Sequence, residues 1–154
     1  MSSDLNIRKF DIREAGWETD GDVLQDIRRR VFIIEQHVPK DEEWDGQDEK
    51  GWHFIATEKD DVPIGTARLL PSGQIGRMAV LEEYRRHGVG RALLEQAIEK
   101  ARHLGMQDLF LHVQLHALHF YEAVGFSLEG EEFIEAGIAH RKMTLVLTPL
   151  DDNV

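Results

Sequence analysis

Residues 74–91 commit this chain to a strand that passes through glycines directly into a helix. Gln74 to Leu81 reads as an apolar strand, followed by Tyr84-Arg85-Arg86-His87-Gly88-Val89-Gly90-Arg91. Beyond the glycines Leu93, Leu94, Ala97, Ile98, Ala101 and Leu104 recur at helical spacing as one apolar stripe. Gly105 stands where a helix end favours a left-handed residue, with Arg102 and His103 in the last turn. A striped helix next to an apolar strand has to bury its stripe against a sheet, which points to a mixed α/β layer architecture.

The rest of the chain fits that frame. Ile7 to Glu14 alternates weakly and reads as a first strand. Gly21 to Gln36 reads as a helix on Val23, Leu24, Ile27, Val31 and Ile34. An acidic, turn-rich segment, Pro39 to Lys50, precedes a strand at Trp52 to Glu58, a turn at Asp60 to Pro63 and a partner strand at Ile64 to Leu70. Pro71-Ser72-Gly73 is a second turn. Leu109 to Leu115 is a strand, His116 to Ala123 a short helix closed by Gly125, and Phe126 onward with Arg141 to Leu147 a final strand pair. The expected order is β-α-β-β-β-α-β-α-β-β around one twisted sheet.

At 154 residues and 42% apolar content the chain fits a single domain over residues 1–154 with a real core. Its apolar runs are too short to span a bilayer. The start, Met1-Ser2-Ser3-Asp4-Leu5-Asn6, lacks a secretory pattern, so a cytoplasmic protein is expected. There is no cysteine, which removes disulfides, thiolate metal sites and a cysteinyl acyl-enzyme. A net charge of −11 argues against a nucleic-acid partner. It suits solubility first and a cationic partner second.

The glycine stretch is built for an anion. The start of a helix offers unpaired N–H groups and the positive end of its dipole. Glycine lets backbone approach a ligand closely, and Arg85, Arg86 and Arg91 add positive charge. A P-loop is excluded because Lys-Ser/Thr does not follow the glycines, and a dinucleotide fingerprint because it needs three glycines. A plain strand-to-helix turn with solvated arginines remains the alternative at this point.

Two motifs together carry a resemblance. Arg85-x-x-Gly88-x-Gly90 after an apolar strand is similar to the acyl-CoA-binding motif of GNAT N-acetyltransferases. Downstream, Ala117-Leu118-His119-Phe120-Tyr121-Glu122-Ala123-Val124-Gly125-Phe126 resembles that superfamily's A-x-x-F-Y-x-x-x-G-F segment. The run Arg30 to Gln36, the segment Glu43-Trp44-Asp45-Gly46, and Glu135-Ala136-Gly137-Ile138 with His140 and Met143 resemble its ElaA-like branch. The resemblance spans nearly the whole chain.

The resemblance implies a GNAT-like sheet whose central strands, Gly76 to Leu81 and Leu109 to Val113, splay to admit acetyl-CoA. The strand edge Met78, Ala79 and Val80 would carry the pantetheine arm. The amides of Arg86, His87, Gly88, Val89, Gly90 and Arg91 would hold the diphosphate, with Arg85, His112, Phe120 and Tyr121 also contacting the donor. An amide near Val80 would polarise the thioester. An acyl group would pass directly to an amine, a small molecule more readily than a protein, and Tyr121 would protonate the departing thiolate.

The base is drawn from Glu35, at the end of the first helix, and His53, with His112 and Gln114 alternating along the strand that opens the cleft. The alternative from another class is a CoA-binding regulator or scaffold without catalysis, whose motifs would look the same. By analogy with the superfamily a homodimer is an expectation. His112, His116 and His119 lack a carboxylate in a known metal pattern, so no metal is expected. Arg28-Arg29-Arg30 reads as a solvated helix face, with one arginine paired to Glu35 or to an acidic loop residue. Asp41-Glu42-Glu43-Trp44-Asp45 reads either as an exposed acidic loop or as a seat for a cationic amine.

Overall fold

Along Trp52–Glu58 the side chains alternate between two cores. Phe54 and Ala56 pack with Leu93, Leu94 and Ala97, whereas Ile55 packs on the opposite face with Ala15 and Leu24. This period of two makes the strand the middle of a three-layer arrangement, with a helix on each face. In the computed structural model, which describes residues 10–148, the strands are β1 (Phe10–Ala15), β2 (Trp52–Glu58), β3 (Val62–Leu69), β4 (Ile75–Val80), β5 (Asp108–Gln114), β6 (Ser127–Glu135) and β7 (Ile138–Val146). The helices are α1 (Trp17–Arg28), α2 (Val89–His103) and α3 (Leu118–Val124). Residues 7–9 of the expected first strand, and the opening 1–6, lie outside the described residues. The expected order of strands and helices is observed, with one further helical turn, Lys40–Glu43, in the segment expected to be turn-rich. Among the described residues no helix is long and apolar enough to cross a membrane.

The splay that the resemblance implied between residues 76–81 and 109–113 is observed, and it divides the expected twisted sheet in two. β1-β2-β3-β4 form an antiparallel sheet, and β5-β7-β6 form a second one. β4 and β5 lie side by side, and among the described residues they are joined by a single parallel bridge, between Gln74 just before β4 and Phe110 in β5. There Phe110 N donates to Gly73 O at 3.1 Å. Beyond this fork the inner edges of both strands pair with no strand among the described residues. A bulge bends β4 away: Arg77 and Met78 stand opposite the single residue Ala67, and Arg77 has a left-handed φ of +48°.

α2 buries Val89, Leu93, Leu94, Ala97, Ile98 and Ala101 over the first sheet. It comes close because β3 carries Gly65, where a Cβ would sit 3.1 Å from Leu93 Cδ1. The expected stripe is right except at Leu104, which caps the helix and is exposed. Gly105 and Gly125 are left-handed, at φ +80° and +117°, as the helix ends demanded.

The first helix departs further from expectation. It begins at Trp17, and after Arg28 its turns widen to a π-helical segment, Arg29–Glu35, with Gln36 N bonded to Val31 O at 3.0 Å. Each widened turn adds a residue and rotates the face. Leu24, Ile27 and Val31 are buried as the periodicity required, but Ile34 points outward. Phe32 turns inward instead.

Candidate active site

The split between β4 and β5 opens into a cleft of about 560 Å³. One wall is Gly76, Arg77 and Met78 of β4, and the other is Leu111 to Gln114 of β5. Tyr121 of α3 closes one side, and the loop from Asp41 to Gln47 borders the other. The two sides differ chemically because β5 alternates. Leu111 and Val113 turn into the α2 core, against which Phe120 and Tyr121 pack. His112 and Gln114 occupy the opposite face, where Gln114 Nε2 donates to Gln36 Oε1 at 3.0 Å.

Tyr121 is half-buried, its hydroxyl 3.7 Å from Met78 Sδ, with Phe120 and Phe126 edge-on to its ring. Burial pushes its phenol up to about 12, so it stays protonated across the neutral range.

At the end of β4 the chain turns through the glycine loop. Arg86 and Gly88 lie in the left-handed region, at φ +68° and +87°. This backbone pattern can bring neighbouring N–H groups into one concavity. A Cβ on Gly88 would meet nothing within 4 Å, so its open side faces free space. Among the described residues the chain supplies no acceptor for the amides of Arg86 to Arg91. Gly90 differs, since a Cβ there would touch Phe120 Cζ at 3.7 Å and Val80 Cγ2 at 3.8 Å. Val89 buries its side chain in the core, and Ala79 points to the α1 side.

Arg85 and the two sequence-level base candidates are occupied elsewhere. Arg85 Nε donates to Val80 O at 2.8 Å, while Nη1 and Nη2 grip Glu35 Oε2 and Oε1 at 2.7 and 2.6 Å. The hydrogen bond from Arg85 holds Glu35 below the usual carboxylate range. Glu35 therefore clamps the end of β4 and is not among the residues lining the cleft. His53 is buried beneath Trp17, with Nε2 2.8 Å from Asp48 O, and burial lowers its pKa. It also stands outside the cleft. Arg91 pairs with Glu95 at 3.2 Å on the helix surface.

The acidic loop is spoken for as well. Arg28 is the arginine expected to pair with the acidic loop, binding Glu43 Oε2 at 2.6 Å and Asp48 Oδ1 at 2.7 Å, but at 1% exposed it is not part of a solvated helix face. Its guanidinium lies 5.0 Å from the Trp44 ring centroid. Arg68 takes Asp45 at 2.8 Å and Asp48 at 2.9 Å, and Arg77 takes Asp45 at 3.1 Å. Glu43, Trp44 and Asp45 thus serve internal arginines, which corrects their reading as an amine seat. Arg29 and Arg30 do lie on the surface, paired with Asp26.

One polar pair in the cleft escaped the sequence reading. His112 Nδ1 lies 2.8 Å from Glu135 Oε1, and Phe133 packs edge-on to the His112 ring. Glu135 comes from β6, and only the hairpin pairing through β7 brings it to β5.

Residues 14–147 match the family described as acetyltransferase (GNAT) domain. The chain is 31% identical over 121 residues to the uncharacterized N-acetyltransferase YjcF of Bacillus subtilis, covering 76% of this chain and 86% of that protein. The fold superposes on Escherichia coli ElaA with a TM-score of 0.78 at 27% identity, over 88% of this chain and 99% of ElaA. A Bacillus subtilis acetyltransferase solved in complex with CoA shares the fold at a TM-score of 0.69 and 24% identity, over 91% of this chain and 100% of that one.

Proposed function

Given that this chain belongs to the GNAT acetyltransferase family, we propose that it transfers an acetyl group from acetyl-CoA directly to a small-molecule amine. The observation that carries this reading is the fork. Two strand edges face one another across a slot, and a loop of open amides follows directly from the end of β4. The residues fit the donor. The amides of Arg86 to Arg91 would hold a diphosphate through N–H groups and the α2 dipole. The edge of Met78 to Val80 would pair with the amide-bearing pantetheine arm, Phe120 would line its path, and a backbone N–H near Val80 would face the thioester oxygen. Such a preorganised donor contributes about 3 kcal/mol when aimed at developing negative charge.

Bound acetyl-CoA would supply the activated acyl carbon, and the chain does the rest. Tyr121 holds a proton in an apolar setting beside Met78, where it can give that proton to the departing sulfur. Arg85 and Glu35 fix the strand end from which the amides project. In this reading Glu35 and His53 support the scaffold and neither serves as base. The cleft volume falls within the roughly 300–1,000 Å³ of small-molecule sites, which favours a small amine over a protein tail.

The test is release of free thiol from acetyl-CoA across a panel of primary amines, with CoA affinity measured by calorimetry. Amine-dependent release is expected. CoA binding with no turnover on any amine would instead favour a CoA-binding regulator or scaffold.

A further inference from the structure

We infer that His112, oriented by Glu135, is the general base that takes a proton from the acceptor amine, on the side of the split opposite Tyr121. This rests on the transferase reading above. It is argued from the alternation of β5: Leu111 and Val113 join the α2 core together with Tyr121, so His112 must stand on the other side. A thioester lying in the split would have a proton donor toward its sulfur and an imidazole toward the open acceptor side.

The pair is built for that task. Glu135 accepts from His112 Nδ1 at 2.8 Å, which leaves Nε2 bare as the proton acceptor. Phe133 and Phe110 flank the ring at 5.0 and 5.9 Å and limit its rotation. The other charged groups around it are already committed. Lys142 on β7, directly opposite in register, binds Glu129 at 3.1 Å and lies over Phe110. His140 on β7 bonds Ile138 O through Nδ1, and Glu43 across the cleft is held by Arg28. Arg68 and Arg77 on the first sheet are engaged by Asp45 and Asp48, and Asp41 on the facing loop and His116 just beyond β5 complete, with Tyr121, the titratable groups lining the cleft.

The step balances as follows. An ammonium acceptor gives one proton to His112 Nε2 and becomes the nucleophile. The C–N bond forms and the C–S bond breaks. The sulfur takes the Tyr121 proton, and the second nitrogen proton restores the phenol. His112 then returns its proton to water, so the products are amide, free thiol and one proton.

The experiment compares wild type, His112→Gln and Glu135→Gln. With an amine that the wild type acetylates, His112→Gln is expected to lower kcat/KM by about a hundredfold or more, well beyond any change in CoA affinity. The fall of kcat/KM on the acid side of the wild-type profile should disappear in that variant. A second readout needs no turnover: nitrogen NMR of the free protein should place the proton of neutral His112 on Nδ1, and Glu135→Gln should abolish that preference. Turnover by His112→Gln at the wild-type rate with an unaltered acid limb, or a wild-type proton on Nε2, overturns this assignment alone. A wild type that acetylates no amine overturns the transferase reading, and the base with it.

Discussion

Tyr121 presents its chemistry through where it sits, since burial in an apolar pocket keeps the phenol protonated to about 12. If it serves as the acid, Tyr121→Phe should reduce kcat by about a hundredfold or more, well beyond any loss of CoA affinity. Tyr121 should show little phenolate absorbance at pH 10, where an ordinary tyrosine is about half-ionised. A spectrophotometric titration of Tyr84→Phe, which leaves Tyr121 as the one tyrosine, checks this, and a midpoint near pH 10 in that variant would sink the pocket argument. At this scale the sequence was only partly legible. Tyr121 is singled out by a local motif, and it lines the cleft. Glu35 and His53 do not, because their partners, Arg85 and Asp48, lie on other elements, and side-chain orientation along a widened helix or a buried strand is not written in spacing. Glu135 was invisible as a partner for His112 for the same reason, standing two strands away.

Elements were more legible than side chains, because period and punctuation are local signals. The strand Trp52–Glu58 and the helix after Gly88 follow from alternation, stripe and glycine alone. The exception is the segment Arg29–Glu35, where a π-helical stretch breaks the 3.6-residue period on which Ile34 was placed. The glycine loop gives a sharp prediction. Gly88→Val should fold, since nothing stands within 4 Å of its Cβ position, at a cost of about 1–2 kcal/mol for the left-handed backbone. It should bind CoA markedly more weakly, and calorimetry with a parallel melting curve separates the two effects. Gly73→Ala should behave differently. Gly73 has φ +94°, and a Cβ there would lie 2.4 Å from Asp108 O, where the two sheets meet. Backbone strain and collision together should cost more than about 2 kcal/mol in denaturant unfolding, and a near-neutral result would deny the fork its tightness.

Across the whole molecule, the arginine–carboxylate cluster beneath the cleft ties α1, the loop and the first sheet together. Arg28→Met should destabilise the chain by about 3–5 kcal/mol, because it leaves Glu43 buried and short of its partner. The cluster also sets the acid response. Burial alone would raise Asp45, but hydrogen bonds from Arg68 and the Gln47 amide outweigh it and hold the group at about 2, against an ordinary 3.8. Asp48 is lowered too, against its own burial, by Arg28 and Arg68. Groups depressed in this way stabilise the fold above their unfolded values, and that stability is lost as pH falls through the folded ones. Glu43, raised by burial beyond what Arg28 and Arg77 offset, has the opposite sign: it favours the fold at low pH and loses that contribution as pH rises through its folded value. The melting temperature should thus drop between pH 3.8 and about 2, and Asp45→Asn should flatten part of that slope. The division into two sheets was legible only through resemblance, since strand patterns do not say which neighbours fail to pair. The fork also bears on how the protein behaves in a crowded solution. Free strand edges ordinarily invite a second chain to add itself, with polymerisation as the outcome. Here β4 and β5 turn their unsatisfied edges toward each other, so the gap that lets in a slender thread shelters the same backbone from recruitment into aggregates.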